Sequence, residues 1–216
     1  SRQEFSLLIA TLISAVNDIA NIAGTYGCFL SKWTMQSLGT LNLQPLQVRD
    51  KKVDYLVTTE DVFAIKSRPN DVIYLDPPYT KRQYASYYHV LETITLGDNP
   101  GVEGVAGLRP WKSRASVFCY KAKALQALVK LASSQGANRV LISYSDDGHV
   151  QLNQLVNELE KTGTAEVVEL GSIGRYRPNS TASSRKSEVK EYLIDYRHDG
   201  RTQDEQTINA GAVAAK

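Results

Sequence analysis

An acid, two prolines and an aromatic ring follow one another at Asp76-Pro77-Pro78-Tyr79, and these residue types in this order suit one kind of chemistry. An exocyclic amine on a nucleobase is a poor nucleophile because its lone pair is delocalised into the ring. Acceptors that hold its hydrogens favour the more pyramidal, reactive nitrogen. The Asp76 carboxylate and the Pro77 carbonyl are two such acceptors, and the prolines bring no backbone N–H to compete for them. Tyr79 adds a ring on which a planar base can stack, a contact worth about 1–3 kcal/mol per base. A surface Pro-Pro turn is the plain alternative, so the elements around the corner carry the argument.

The residues just before the corner, Val72-Ile73-Tyr74-Leu75, form an apolar β-type run that reads as a fully buried, parallel strand. Pro77 and Pro78 then stop it, and an acid at the carboxyl end of a strand is where open α/β sheets place their ligands. Downstream, Lys81, Arg82, Tyr84, Tyr87, Tyr88 and His89 lead into a helix through Leu91 and Ile94. Cations interleaved with rings suit an unpaired nucleotide, although a buried helical face also accounts for at least one of the two neighbouring tyrosines. His89 reads as a hydrogen-bonded structural residue. The irregular stretch from Gly97 to Phe118, with Arg109, Trp111, Lys112 and Arg114, reads as a loop that binds nucleic acid.

Asp76-Pro77-Pro78-Tyr79 resembles the catalytic motif of amino-methyltransferases that use S-adenosyl-L-methionine. Arg82-Gln83-Tyr84, Tyr87 to Ile94, Gly107-Leu108-Arg109 and Leu141 to Ser145 with Asp147-Gly148 extend the likeness to bacterial DNA adenine-N6 methyltransferases of restriction-modification systems, over roughly residues 5 to 197. The resemblance implies a Rossmann-like methyltransferase sheet, double-stranded DNA as partner, a flipped adenine as substrate and S-adenosyl-L-methionine as cofactor, with no metal. It implies Asp76, Pro77, Pro78 and Tyr79 as catalytic residues and Asp61, Val62 and Asp76 around the cofactor. An Asp before a helical turn is equally an ordinary N-cap. Nucleic-acid contacts are expected from Lys81, Arg82, Tyr84, Arg109, Lys112, Arg114, Arg175 and Arg177. A relative acting on cytosine N4 or on RNA, or a DNA-binding or assembly subunit without catalysis, remains open at this point.

One departure from the family pattern matters. No glycine-rich turn of the Phe-x-Gly-x-Gly kind lies upstream of Asp76, so the central first strands are expected to be missing here. The chain is then the carboxyl-terminal part of a longer enzyme, or a separate subunit supplies the rest, or it is a remnant that cannot bind the cofactor alone. Open sheet edges predict association with another protein or with itself. The expected architecture is α/β, mostly parallel with a terminal antiparallel hairpin, spanning residues 1 to 197, and a disordered tail from 198 to 216.

The 216 residues are 42% hydrophobic and 22% charged, which is ample for a core, and the net charge of +2 advertises no strong field, so DNA contacts must come from local clusters. Cys28 and Cys119 lack metal-ligand spacing and read as small buried residues of a reducing, cytoplasmic bacterial setting. Asn17, Asp18 and Asn21 interrupt the longest apolar region, which excludes a membrane span there.

The remaining elements follow from periodicity. Apolar residues at Phe5, Leu8, Leu12, Val16, Ile19 and Ala23 predict one long core-packing helix over 4 to 31, ended by Gly24 and Gly27. Strands are expected at 42 to 48, 53 to 58 and 139 to 145, helices at 120 to 134 and 150 to 161, and hairpin strands at 165 to 170 and 189 to 196. Asp146 and Asp147 leave the 139 to 145 strand at its carboxyl end and are placed to line a site there, or to make an acidic turn.

Overall fold

A computed structural model describes residues 1–47, 53–174 and 188–199. The chain divides into two compact units, one of Ser1–Thr58 with Arg82–Ala115 and the other of Thr59–Lys81 with Ser116–Lys216.

The second unit is built on a sheet of four strands in the order β1-β2-β4-β3. These are β1 (Val72–Leu75), β2 (Arg139–Ser145), β3 (Gly163–Gly174) and β4 (Glu188–His198). β1 runs parallel to β2, with Tyr74 opposite Leu141, while β4 lies antiparallel to both β2 and β3. The α/β class and the terminal antiparallel hairpin are therefore present, and among the described strands a single pairing is parallel. The hairpin strands run longer than periodicity indicated, because β3 absorbs an irregularity between Glu169 and Gly171 and continues pairing beyond it.

Two helices, α4 (Lys121–Ser133) and α5 (Leu152–Leu159), cover one face of this sheet. Their Leu128, Leu131, Leu155 and Leu159 pack with Val140, Ile142, Tyr144, Ile194 and Tyr196 in a single buried cluster. The pairing register puts Tyr74, Leu141, Leu193 and Val168 on the opposite face, where Tyr74 and Val168 are exposed and the other two half-buried. The expectation of a fully buried β1 is thus corrected: Val72 is 58% and Tyr74 61% exposed. The strand sits at the sheet edge, and its exposed residues, Val72 and Tyr74, are those that point away from the face covered by α4 and α5.

In the first unit, α1 (Arg2–Ile19) is capped by Ser1, whose hydroxyl accepts from Glu4 N. It ends at Ile19, well before the two glycines expected to stop it. Asn21 explains the early stop, since its side chain donates to Leu30 O at 2.8 Å and accepts from Thr34 N at 3.3 Å, bonding that folds the chain back and competes with a further helical turn. The buried residues of α1 are Thr11 and Ala15, whereas Phe5 and Leu8, assigned to the core by spacing, are exposed. Two further helices, α2 (Tyr84–Tyr87) and α3 (His89–Leu96), meet at Tyr88. Tyr26 N donates to Tyr87 O at 2.9 Å, and buried His89 bonds Tyr26 O through Nε2 at 2.9 Å. Gly27 is required at this junction, because a Cβ there would lie 2.4 Å from the Tyr87 ring.

Other expectations fail for definable reasons. Residues 53 to 58 form no strand, and Tyr55, Leu56 and Val57 are 82–87% exposed; a β-type run becomes a strand only when a neighbour takes its backbone bonds. Residues 42 to 47 are likewise irregular, and position 48 lies outside the described residues. Cys119 is buried as expected, but Cys28 is exposed. The tail from residue 200 and the 175 to 187 connection also lie outside the described residues. Among the described residues no helix is long and apolar enough to cross a membrane.

Candidate active site

β1 delivers Asp76 at its carboxyl end, and the two prolines carry the chain away from the sheet. Asp76 is exposed, Pro77 is buried, and Pro78 and Tyr79 are half-buried. The corner is anchored from below and behind. Tyr79 packs against the hydrophobic cluster, its ring edge-on to Tyr144 at 5.7 Å between centroids. Its carbonyl accepts from His149 N at 2.8 Å, and the His149 ring bonds Cys119 O through Nε2 at 3.1 Å. Tyr144 is held in turn, because its hydroxyl accepts from Val150 N and donates to Val150 O, both at 3.0 Å. The loop after β2 thus fixes the loop after β1, as neighbouring parallel strands allow.

The carboxyl end of β2 brings further groups to the same end of the sheet. Ser145 is fully buried and opposite Glu191 of β4 in the antiparallel register. Asp146 Oδ1 accepts from Lys190 N at 3.1 Å, and Asp146 N donates to Lys190 O at 3.1 Å, which closes that end of the β2–β4 ladder. Burial pushes the Glu191 carboxyl above its ordinary range, the negative charges of Asp76 and Asp146 push it further, and a hydrogen bond from Ser145 opposes them. Glu191 was missed in the sequence. Its signal was available only as an acid in the alternating run of β4, and the strand register was needed to set it near Asp76.

Asp61 does what the plainer of its two readings says. It caps the 3₁₀ turn Val62–Ala64, its Oδ1 accepting from Phe63 N at 2.9 Å. Val62 is half-buried against the hydrophobic cluster, and Phe63 stacks on Phe118 with centroids 5.9 Å apart. Lys81 is exposed.

Three of the residues predicted to meet nucleic acid converge in the first unit. Tyr84, Arg109 and Arg114 line one concavity, with Lys112 exposed in the same 3₁₀ turn as Arg114. Arg109 is spent on a fork of bonds to Asp98 at 2.6 and 2.5 Å, and this pairing holds the Asp98 carboxyl below its ordinary range. Arg114 pairs with Glu92. Arg82 is exposed, while Arg175 and Arg177 lie outside the described residues. Among the described residues no group of three or more His, Cys, Asp or Glu side chains is placed to hold a metal.

Comparison of the sequence with known proteins points to one family. Residues 3–162 match the D12 class N6 adenine-specific DNA methyltransferases. The Type II methyltransferase M.FokI of Planomicrobium okeanokoites is 34% identical over 192 residues, which cover 88% of this chain and 30% of that protein. The modification methylase StsI of Streptococcus sanguinis is 31% identical over 195 residues, covering 90% of this chain and 30% of the relative. The Type II methyltransferase M.CviAII of Paramecium bursaria Chlorella virus 1 is 30% identical over 194 residues, covering 90% of this chain and 57% of the relative. The chain therefore spans about a third of the length of M.FokI and StsI. No solved structure matches it. With three quarters of its length in the matched segment, the chain belongs to the D12 class of N6 adenine-specific DNA methyltransferases.

Proposed function

We propose that this chain carries the target-base corner of an enzyme that methylates the N6 amino group of adenine in double-stranded DNA. The observation that carries the reading is the exposed Asp76 carboxylate beside a buried Pro77, on a loop pinned by the His149 bond to Tyr79 O. An adenine turned out of the duplex stacks on Tyr79. Its amino group donates to Asp76 and to the Pro77 carbonyl, which localises the nitrogen lone pair. S-adenosyl-L-methionine, when bound, supplies the methyl group from its sulfonium. Asp76 holds the amino hydrogen that leaves to solvent once the nitrogen has taken up the methyl. No metal is required for this transfer.

Asp61 and Val62 fit the purine end of that cofactor in part. One carboxylate oxygen of Asp61 is already committed to Phe63 N, the other lies in an exposed group, and Val62 adds an apolar side chain beside it. No glycine-rich cradle for the methionine end is present in the sequence. We therefore place the remainder of the cofactor site on further strands of a Rossmann-like sheet, with residues 1 to 197 as a portion of the catalytic domain. Two features support a partner that supplies those strands, within a longer chain or as a separate subunit. β1 has one edge without a neighbour among the described residues, and the β-type run at 53 to 57 is exposed and forms no strand. Lys81, Arg82 and Lys112 are the cations assigned to DNA phosphates. A DNA-modifying role places the protein in the cytoplasm.

The test is Asp76→Ala in the full-length enzyme, read by digesting methylated duplex DNA to nucleosides. Loss of N6-methyladenine with unchanged DNA binding is expected; full activity of the variant, or N4-methylcytosine as product, overturns the assignment.

A further inference from the structure

Several loops of the second unit are tied in series, and the tie runs from the Asp61 turn to the Asp76 corner. His149 stands in the middle of it. Its backbone N–H donates to Tyr79 O at 2.8 Å, and its ring reaches Cys119 O through Nε2 at 3.1 Å. A carbonyl only accepts, so Nε2 carries a hydrogen and donates, in the neutral ring as in the protonated one. The peptide that contains the His149 N–H is restrained on both sides, since Gly148 N donates to Ser145 O at 3.0 Å and the Tyr144 hydroxyl holds Val150 N and O. The ring bond adds the restraint that comes from residue 149 itself.

Beyond Cys119 the connection continues by packing. Phe118 and Cys119 are buried, at 7% and 4%, in the 3₁₀ turn Val117–Cys119 that leads into α4. Phe63 stacks on Phe118 with ring planes 24° apart, and Lys130 of α4 lies 5.7 Å from the centre of the Phe63 ring. Phe63 is also the residue whose N–H bonds Asp61 Oδ1. From Asp61 the path therefore runs through Phe63, Phe118, Cys119 O and His149 to Tyr79 O, three positions after Asp76. Each step is a hydrogen bond, a ring contact or a peptide of the chain, and all of it lies within one compact unit.

We propose that His149 is a positioning residue for the reaction at the Asp76 corner, and that its bond to Cys119 O sets that corner and the Asp61 turn in one frame. The inference rests on Asp76 as the acid that holds the target amine and on Asp61 and Val62 as residues beside the cofactor. An in-line transfer is steeply sensitive to the separation of the reacting atoms, so a tie between the parts that hold the two reactants acts on the rate. The imidazole touches no substrate and moves no proton. It acts through Tyr79 on one side and through Phe118 and Phe63 on the other.

The experiment compares His149→Ala and His149→Gln with the parent in the full-length enzyme. Gln carries an N–H donor at about the reach of Nε2, and Ala carries none. For His149→Ala, kcat is expected to fall about two- to tenfold, as loss of one hydrogen bond implies, with KM for duplex DNA unchanged. Amide hydrogen exchange is expected to quicken at position 149 and across 61 to 64, and His149→Gln to recover both kcat and protection. Parental kcat in His149→Ala overturns the proposal. So does parental exchange across 61 to 64, or equal impairment by Ala and Gln, which marks a packing role without the donor. Calorimetric titration with S-adenosylhomocysteine keeps the two readings apart. Weakened affinity in His149→Ala supports the whole scheme, while parental affinity with quickened exchange at 61 to 64 supports the tie and removes Asp61 from the cofactor. Exchange is measured without turnover, so it stands even where Asp76→Ala proves fully active.

Discussion

Ser145, at the end of β2, stands opposite Glu191 of β4 in the antiparallel register, and the Glu191 carboxyl feels the charges of Asp76 and Asp146. Burial raises the Glu191 pKa above its ordinary 4.5, and the two neighbouring carboxylates raise it further. Lys190, the adjoining cation, is directed to Glu169 at 2.9 Å and does not relieve this. In the unfolded chain Glu191 loses its proton near 4.5, while in the folded chain it holds the proton to higher pH. Between those two values the native state binds more protons, so stability declines as pH rises through the window and stays lower above it. Glu191→Gln is therefore expected to raise the melting temperature at pH 7, by an amount that shrinks to nothing below pH 4.5. Thermal melts across that range check it, and a difference independent of pH contradicts it.

Asp195 behaves in the opposite sense. Its carboxylate accepts from Arg139 Nε at 3.0 Å and Nη2 at 2.8 Å, and from Arg197 Nη2 at 3.3 Å. The Arg139 bonds are the main cause of a pKa held below the ordinary 3.8, with Arg197 adding to it. A depressed carboxylate contributes stability that is fully present above 3.8 and is lost as pH falls through the lowered value. Arg139 is partly exposed, so the contribution is that of a screened pair, about 0.5–1 kcal/mol. Asp195→Asn should cost that much at pH 7 by urea unfolding, lose most of the penalty in strong acid, and cost less in high salt.

The parts of this fold that were legible in the sequence are those specified by local chemistry. β2, α4 and α5 follow from their periodicity, and the turn at Asp76-Pro77-Pro78 from prolines that cannot continue a strand. What escaped depends on partners distant in the chain. Phe5 and Leu8 have helical spacing, but spacing states only that a face is apolar, and in α1 the side that is covered carries Thr11 and Ala15. Residues 53 to 58 have strand composition without a neighbouring strand. At the candidate site, Asp76 and Tyr79 were legible because a four-residue motif carries them. The anchoring by His149 and Tyr144 and the placement of Glu191 were not, since strand register and loop packing bring residues together from up to 115 positions away, as Asp76 and Glu191 illustrate.

Tyr144 is 1% exposed, and its hydroxyl satisfies both backbone groups of buried Val150. Tyr144→Phe keeps the ring against Tyr79 but orphans an N–H and a carbonyl, at a cost of about 1–3 kcal/mol for each group left without a partner. Gly148→Ala should reach the same region from the other side, because its Cβ would lie 2.3 Å from the Tyr144 hydroxyl. Chemical denaturation measures both. A Tyr144→Phe protein as stable as the parent would show that water replaces the hydroxyl.

Tyr79 separates stacking from fold. Its ring contributes to two contacts, the edge of Tyr144 and the proposed base, while its carbonyl, which bonds His149 N, is independent of the side chain. Tyr79→Phe preserves both ring contacts and is expected to retain near-parental kcat/KM on duplex DNA. Tyr79→Ala removes them, and losing about 1–3 kcal/mol of base stacking corresponds to roughly a five- to 150-fold drop in kcat/KM. A substrate whose target adenine is opposite an abasic site costs less to unstack and should recover part of the loss. If Tyr79→Ala is active at the parental level on the intact duplex, the ring serves only the packing of the corner, and another group must hold the extruded base.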